Sequence, residues 1–267
     1  MTGFLASVTS AAEAEIVLAA GADIIDLKDP HSGALGALPA PVIREAVRTV
    51  AGRRTVSATA GDLPMHPQVI ADAVDRIAAL GVDIVKVGLF PGGVPLACIA
   101  ALAKQAASGT HIVAVLFADQ SPDFALIDRL HEAGFAGAML DTADKGAGGL
   151  RRHLGDAVLG DAVLGDFVER VSRAGMLSGL AGSLGLADIA PLARHAPDYL
   201  GFRGALCKDG RTSTLDPERA RAVRTAIDQA AGHQPSAARI ATAAAGAQRA
   251  AHSRVAGSAS TRLAKST

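Results

Sequence analysis

Short runs rich in valine and isoleucine alternate eight times with longer segments of helical period between residues 4 and 230. This alternation is typical of parallel strands, each connected to the next by a helix. Eight such units close most simply into a barrel, which needs about 250 residues, and the chain has 267. The sequence therefore predicts an α/β fold, a (β/α)8 TIM barrel in a single domain. The predicted strands cover residues 4–8, 23–28, 55–60, 83–90, 111–118, 137–142, 176–182 and 199–207.

The segments between these strands carry the residues expected at helix ends. AAEAEIVLAAG, VDRIAALG, IDRLHEAG and VERVSRAG each end in glycine, which is favoured just beyond a helix. Thr9 or Ser10 can cap the first helix, and four prolines lie near predicted helix starts, where they are tolerated: Pro39, Pro67, Pro122 and Pro217. An open doubly wound sheet is the alternative fold. It would usually show a GxGxxG turn after its first strand, where this chain reads SVTSAAEA.

Two stretches depart from the repeating pattern. Residues 155–165 read GDAVLGDAVLG, a tandem repeat that lengthens the helix or loop after the sixth strand. Beyond residue 231 the chain is rich in alanine, serine, arginine and threonine and has almost no large apolar residue. Such a segment buries too little surface to offset the entropy of ordering it. We therefore expect a catalytic barrel domain over residues 1–231 and a disordered tail over residues 232–267.

The charge and cysteine content exclude several classes of protein. Basic and acidic residues both number 26, so no net field attracts nucleic acid or an anionic membrane surface. Cys98 and Cys207 are isolated, which favours a reducing compartment. The N-terminus does not have the pattern of a secretory signal, and no apolar run reaches the roughly 18 residues of a membrane span. These observations predict a cytoplasmic protein with neither a nucleic acid nor a membrane as partner.

Ionisable residues at the carboxyl ends of barrel strands are the first candidates for catalysis, because active sites of barrels are built there. Side chains alternate along a strand, which places Asp26 and Lys28 on one face of the second strand and allows Lys86, on the fourth, to point inward with them. Burial and a nearby second ammonium both lower the pKa of a lysine, and the neutral amine is a nucleophile that forms imines with carbonyl groups. Taken singly, a lysine in such a place is as readily explained by a structural salt bridge.

Asp141 and Lys145 extend this group of charges. Asp141 ends the sixth predicted strand and Lys145 follows four residues later in LDTADKG. A loop ion pair is the simpler explanation of such a pair in isolation. Beside two inward lysines, a role in the same site is the stronger interpretation.

The loops after the seventh and eighth strands are predicted to bind phosphate, as in many barrels. In AGSLG, Gly182 brings backbone N–H groups close to an anion, Ser183 offers its hydroxyl, and a helix begins near Leu186. Arg203 and Gly204, in RGALCKDGR, are the candidates in the next loop, with an interior ion pair as the alternative role of Arg203. Further candidates are Ser57, in the third strand, and the glycine-rich loop 29–38, which would close over substrate or hold a second phosphate.

No cofactor or metal is predicted. The eight histidines are scattered without HxH or HExxH spacing, and no flavin, nicotinamide or pyridoxal phosphate signature is found.

Six strings mark the chain in this order: GADIIDLKDPHSGALGA, TVSATAGD, DIVKVGLF, LDTADKG, LAGSL and GFRGALC. Through them, residues 4–210 resemble the (5-formylfuran-3-yl)methyl phosphate synthase family of methanofuran and methylofuran biosynthesis, part of one-carbon metabolism. The resemblance implies a barrel lyase that condenses two molecules of glyceraldehyde 3-phosphate with loss of one phosphate and of water. It also implies Lys28 as the Schiff-base lysine and Lys86 as the proton acceptor, assisted by residues at three further matched positions: Asp26, Asp141 and Lys145.

Two other functions are compatible with the motifs. A class I aldolase or a decarboxylase acting on another sugar phosphate would use the same lysines, and a non-catalytic sensor of phosphorylated metabolites would need only the phosphate turns. The sequence also leaves open a homo-oligomer, the loop that holds each phosphate, and the order of aldol addition, elimination and cyclisation.

Overall fold

A computed structural model of the chain describes residues 2–146, 148–154 and 157–231. Eight parallel strands form a closed barrel in which each strand pairs with its neighbours in the sequence and β8 pairs with β1. The strands are β1 (Gly3–Val8), β2 (Ile24–Leu27), β3 (Thr55–Thr59), β4 (Ile84–Gly88), β5 (His111–Phe117), β6 (Gly137–Asp141), β7 (Leu177–Leu180) and β8 (Tyr199–Phe202). The predicted TIM barrel is confirmed.

A helix follows each strand and covers the outside of the barrel. The helices are α1 (Ala11–Ala19), α2 (Ala40–Val50), α3 (Pro67–Ala78), α4 (Pro95–Ala107), α5 (Leu126–Glu132), α6 (Ala157–Arg173), α7 (Leu186–Ala193) and α8 (Pro217–Ala231). Ser10 caps α1 by accepting a hydrogen bond from the backbone N–H of Glu13. Pro67 and Pro217 are the first residues of their helices, where the missing N–H costs nothing.

Side-chain alternation along the strands divides the buried apolar residues into two clusters. Ile24 and Ile84 belong to a small cluster inside the barrel, whereas Ile25 and Val85 belong to the large cluster between the barrel and its helices. Residues two positions beyond Ile24 and Ile84 therefore also point inward. This parity places Asp26 and Lys86 inside the barrel, as the sequence predicts.

Several strands are shorter than the sequence predicts, and the difference matters at β2 and β8. β2 ends at Leu27, so Lys28 is the first residue beyond it, and β8 ends at Phe202, so Arg203 directly follows the strand. The prediction of a β8 strand up to residue 207 is wrong because Gly204–Leu206 form a 3-10 turn instead. Arg203 consequently lies at the barrel mouth rather than several positions before the strand end.

The other two irregular stretches are described only in part. Residues 157–165 of the tandem repeat form the first part of α6, whereas residues 155 and 156 lie outside the described ranges. The predicted tail, residues 232–267, also lies outside them. None of the helices in the described ranges is both long and apolar enough to cross a membrane.

Candidate active site

A cavity of about 390 Å³ opens at the carboxyl ends of the strands, within the range of about 300–1,000 Å³ that is usual for small-molecule sites. Lys28, Lys86, Asp141 and Lys145 all line it. The loops after β7 and β8 form a further wall, which is rich in glycine. The structure therefore brings three lysines from separate strand ends into one pocket, as expected from the sequence.

Lys28 is the most weakly paired of these lysines. Its side chain is 9% exposed, and its ammonium nitrogen lies 4.0 Å from the nearer Asp141 oxygen. Burial lowers its pKa from the usual 10.5 to about 8, and repulsion from Lys145 and Lys86 adds to the effect, while Asp141 and Asp26 oppose it. At pH 7 about one-tenth of Lys28 is therefore a neutral, nucleophilic amine, a far larger fraction than for a lysine of ordinary pKa.

Asp26 is the centre of a buried hydrogen-bond network across four neighbouring strands. The register sets it beside Ser7 on β1 and Ser57 on β3, and both hydroxyls donate to its carboxylate, at 2.8 and 2.7 Å. The Lys86 ammonium lies 2.8 Å from the same carboxylate. Burial alone would raise the pKa of Asp26, but attraction to Lys86 and Lys28 and these hydrogen bonds hold it below its usual value.

A second buried pair lies at the end of β6. Lys145 donates to Asp141 at 2.5 Å, and the backbone N–H of Thr142 donates to the same carboxylate oxygen at 2.8 Å. Burial would raise the pKa of Asp141, but Lys145, Lys28 and the hydrogen bonds lower it to about 2. Asp141 therefore remains an anion between two lysines. The Asp141–Lys145 pair is buried, unlike an ion pair in a surface loop, which would be exposed to solvent.

The turn after β7 has the geometry of an anion site. Gly182 has a φ of +117°, and a Cβ at this position would lie 3.0 Å from the Thr142 methyl carbon and 3.2 Å from the Leu150 Cβ. Ser183 follows with a φ of +49°, and α7 begins at Leu186, as predicted. The N–H groups of Gly182, Ser183 and Gly204 have no hydrogen-bond partner within the described ranges, and all three residues line the cavity. These groups remain candidates for phosphate binding.

Arg203 is held by protein groups rather than left available to a ligand. Its guanidinium donates to both oxygens of Glu13, at 2.6 and 3.2 Å, and to the backbone carbonyls of Ser7, Arg211 and Ser213. These contacts use all five donors of an arginine side chain. The geometry therefore matches its alternative role, an interior residue paired with an acid, and leaves no donor for the phosphate contact expected of it.

Ser57 and loop 29–38 also have partners within the protein. The Ser57 hydroxyl donates to Asp26, so it contacts the carboxylate rather than facing substrate directly. Within the loop, the N–H groups of Ala34 and Leu35 donate to the Asp62 carboxylate, at 2.8 and 2.6 Å. Two backbone amides of the loop that is expected to close over substrate or hold a second phosphate therefore already have an acceptor in a neighbouring loop.

Three residues of the site are not singled out by the sequence pattern: Ser7, Glu13 and Arg211. Ser7 is the penultimate residue of β1 and points inward, two positions beyond Leu5. Alternation along β1 contains this signal, but serine is common and carries no charge. Glu13 lies on α1, where an acid in the first turn is ordinarily explained by the helix dipole. Arg211 follows β8 by nine positions in a loop, where no periodicity predicts the direction of a side chain.

No group of three or more histidine, cysteine, aspartate or glutamate residues in the described ranges is arranged to hold a metal ion. The side chains that line the cavity offer amines, guanidinium groups, a carboxylate and hydroxyls.

Comparison with protein families gives one consistent result. A family model described as 4-HFC-P synthase matches residues 4–224. A protein of Methylorubrum extorquens that provisionally bears the name (5-formylfuran-3-yl)methyl phosphate synthase is 44% identical over 216 residues, which cover 80% of this chain and 87% of the relative. The (5-formylfuran-3-yl)methyl phosphate synthase of Methanococcus aeolicus is 34% identical over 209 residues, with 74% and 87% of the two chains covered.

Solved structures resemble the chain in fold alone. Phosphoribosyl anthranilate isomerase from Thermus thermophilus superposes with a TM-score of 0.61 at 12% identity, over 86% of this chain and 99% of that one. Thiamine phosphate pyrophosphorylase from Pyrococcus furiosus gives a TM-score of 0.59 at 13% identity, over 86% and 97%. At such low identity these likenesses support the barrel and say nothing of the reaction.

Proposed function

The chain belongs to the 4-HFC-P synthase family, and from this premise we propose that it condenses two molecules of glyceraldehyde 3-phosphate to (5-formylfuran-3-yl)methyl phosphate. The reaction is a carbon-oxygen lyase reaction in the biosynthesis of a methylofuran- or methanofuran-type coenzyme. The observation that carries the proposal is Lys28, a buried amine with a pKa of about 8 between two lysines that are each paired with a carboxylate.

Lys28 attacks the aldehyde of the first triose phosphate. Formation of an iminium from a neutral amine and an aldehyde consumes one proton and releases one water. The Lys86 ammonium, held by Asp26 at 2.8 Å, supplies that proton and becomes a neutral amine. Lys86 is then ready to act as the proton acceptor in the next step.

Neutral Lys86 removes the proton from C2 of the bound triose, which the iminium has acidified, and so gives an enamine. The enamine electrons expel the phosphate from C3 and leave a conjugated iminium that is electrophilic at C3. The ammonium of Lys145, adjacent to Asp141 at 2.5 Å, provides positive charge in the same cavity as the dianion departs. Elimination therefore precedes carbon-carbon bond formation in this scheme.

The carbon skeleton of the product supports this order. One three-carbon unit of the product contains the formyl group and carries no phosphate. The other three-carbon unit carries the phosphate and is joined to the first through its middle carbon. The second triose loses its C2 proton to solvent and becomes an enediol, and C2 of this enediol attacks C3 of the triose that lost phosphate, which forms the new carbon-carbon bond. The C2 oxygen of the triose that lost phosphate then closes the ring on the aldehyde carbon of the second triose. Dehydration gives the furan.

The atoms balance without an oxidant or reductant. Two triose phosphates lose one phosphate and two waters to give the furan aldehyde phosphate, and hydrolysis of the imine returns Lys28 as an amine. All proton transfers remain among Lys28, Lys86 and solvent. The absence of a net redox change agrees with a site composed of amines, carboxylates and hydroxyls.

Borohydride trapping tests the proposal directly. Incubation with glyceraldehyde 3-phosphate and borohydride, followed by peptide mass spectrometry, should show a reduced adduct on Lys28. Lys28→Arg keeps the positive charge but lacks the nucleophilic amine, and Lys104→Arg, on α4 away from the cavity, is the matched control. Absence of an adduct at Lys28, or activity retained by Lys28→Arg, would contradict the mechanism.

Product analysis separates the synthase from a class I aldolase that uses the same amine. The synthase gives inorganic phosphate and a furan aldehyde that absorbs in the near ultraviolet. An aldolase gives a six-carbon adduct with both phosphates retained. Formation of that adduct alone, with Lys28 trapped, would replace the proposed reaction by an aldol addition.

A further inference from the structure

Arg211 differs from every other cation that lines the cavity. Five cationic side chains do so in the described part of the chain: Lys28, Lys86, Lys145, Arg203 and Arg211. The first four each have a carboxylate oxygen within 4.0 Å. Arg211 has none at that distance among the described residues, although it is half-buried and its pKa is lowered from its ordinary value, chiefly by burial.

Most donors of the Arg211 guanidinium have no acceptor within the ranges that the structure describes. One terminal nitrogen donates to the Gly33 carbonyl at 3.0 Å, and an arginine side chain has five N–H donors. The backbone of Arg211 is fixed by Arg203, whose guanidinium donates to the Arg211 carbonyl at 2.9 Å. A preorganised guanidinium with open donors and no carboxylate oxygen within 4.0 Å among the described residues is suited to an anion with several oxygens.

The position of Arg211 separates it from the turn after β7. The barrel order places β8 and β1 between β7 and β2. Arg211 extends from the loop after β8 to Gly33, in the loop after β2, whereas Gly182 and Ser183 follow β7. The cavity therefore has one candidate anion group on its β7 side and another on the side facing β2.

We propose that Arg211 binds one of the two substrate phosphates, in a subsite separate from the Gly182–Ser183 turn. This inference rests on the proposed function, in which the triose phosphate bound to Lys28 loses its phosphate and a second triose phosphate, which keeps its phosphate, joins it in the same cavity. Arg211 selects for phosphorylated substrate and holds one molecule while the other is bound covalently to Lys28. The Gly182–Ser183 turn holds the other phosphate through its backbone N–H groups.

Inorganic phosphate is the probe, because its binding needs no turnover. Calorimetry on the full chain should give two phosphates per chain, and Arg211→Gln should weaken one of them about 10- to 100-fold through loss of a charge-assisted, bidentate contact. Lys208→Gln removes a positive charge from the same loop at an exposed position outside the cavity lining, and it should retain both sites. A single phosphate per chain, or equal weakening by the two variants, would overturn the proposal.

Imine trapping supplies the second measurement. With the native chain, borohydride should trap glyceraldehyde 3-phosphate at Lys28 at far lower concentration than unphosphorylated glyceraldehyde. Arg211→Gln should reduce this discrimination about 10- to 100-fold, and Arg211→Lys should restore part of it. If Arg211 only tethers loop 29–38, Arg211→Gln should impair trapping of both aldehydes alike. Unchanged discrimination would therefore refute phosphate recognition.

The results of the two experiments distinguish an error in the Arg211 subsite from an error in the proposed function. Phosphate sites that respond to Arg211→Gln in a chain that forms no imine would retain the subsite and remove the synthase mechanism. An imine at Lys28 with phosphate binding indifferent to Arg211→Gln would retain the mechanism and remove the subsite.

Discussion

Replacing Lys28 with methionine should make the protein more stable at neutral pH. The pKa of Lys28 is about 8 in the folded chain instead of 10.5, mainly because its ammonium is buried. At 1.36 kcal/mol for each pH unit, keeping this proton at pH 7 costs the folded state about 3 kcal/mol. Methionine has a similar length, fills the same space and carries no charge, so Lys28→Met should gain stability of that order.

The pH dependence of the difference follows from the direction of the shift. Below pH 8 both the folded and the unfolded native chain hold the Lys28 proton, and the full cost is present. Between pH 8 and 10.5 the folded chain loses the proton while the unfolded chain keeps it. The native chain therefore gains stability relative to Lys28→Met as pH rises through this window, and the advantage of the variant should disappear near pH 10.5.

Lys86→Met is the matched control because it should have the opposite sign. Asp26 is fully buried, and the Lys86 ammonium at 2.8 Å is its neutralising partner. Removing one partner of a buried ion pair typically destabilises a protein by about 3–5 kcal/mol. The two substitutions are chemically identical and lie in one cavity, so their contrast isolates the electrostatic environment of each lysine.

Urea unfolding at pH 7 and pH 9.5 measures both variants. The expected result is a higher free energy of unfolding for Lys28→Met, a lower one for Lys86→Met, and a smaller gain for Lys28→Met at pH 9.5 than at pH 7. A Lys28→Met variant that is less stable than the native chain at pH 7 would refute the reasoning. It would mean that the Lys28 ammonium is compensated by Asp141 and is not a readily deprotonated nucleophile.

Two further predictions concern residues that support the site. Glu13→Gln should destabilise the protein by about 3 kcal/mol at pH 7, because Arg203 loses its buried partner. Burial would raise the pKa of Glu13, but Arg203 and Thr9 hold it below 4.5. In acid unfolding curves the difference in stability between the native chain and Glu13→Gln should therefore be present above pH 4.5 and shrink as pH falls through the lowered pKa. Equal stability of the two chains at pH 7 would contradict this prediction. Asp62→Ala should speed amide exchange of Ala34 and Leu35 about 10- to 100-fold, because their N–H groups lose a charged acceptor. Unchanged exchange would show that Asp62 does not hold loop 29–38.

The sequence by itself determined the elements of the barrel and the identity of its lysines. Helix and strand periodicity are local properties of the chain, as are the glycines and prolines at helix ends, so eight βα units could be counted before any contact was known. Parity along a strand is local too. It placed Asp26 and Lys86 inside the barrel because each lies two residues beyond an isoleucine that faces inward.

The tertiary structure decided which group partners which. Arg203 is paired with Glu13 across 190 positions, and Ser7 and Ser57 meet at Asp26 from strands on either side. The Arg203–Glu13 pair exists only once the barrel closes, because β8 becomes a neighbour of β1 at that point and at no shorter range in the sequence. The two contacts to Asp26 need the pairing of β1, β2 and β3. Arg203 and Arg211 stand in the same loop and have the same chemistry as free side chains. The folded barrel surrounds Arg203 with acceptors and leaves Arg211 with no carboxylate oxygen within 4.0 Å among the described residues, and that difference underlies the roles proposed for them.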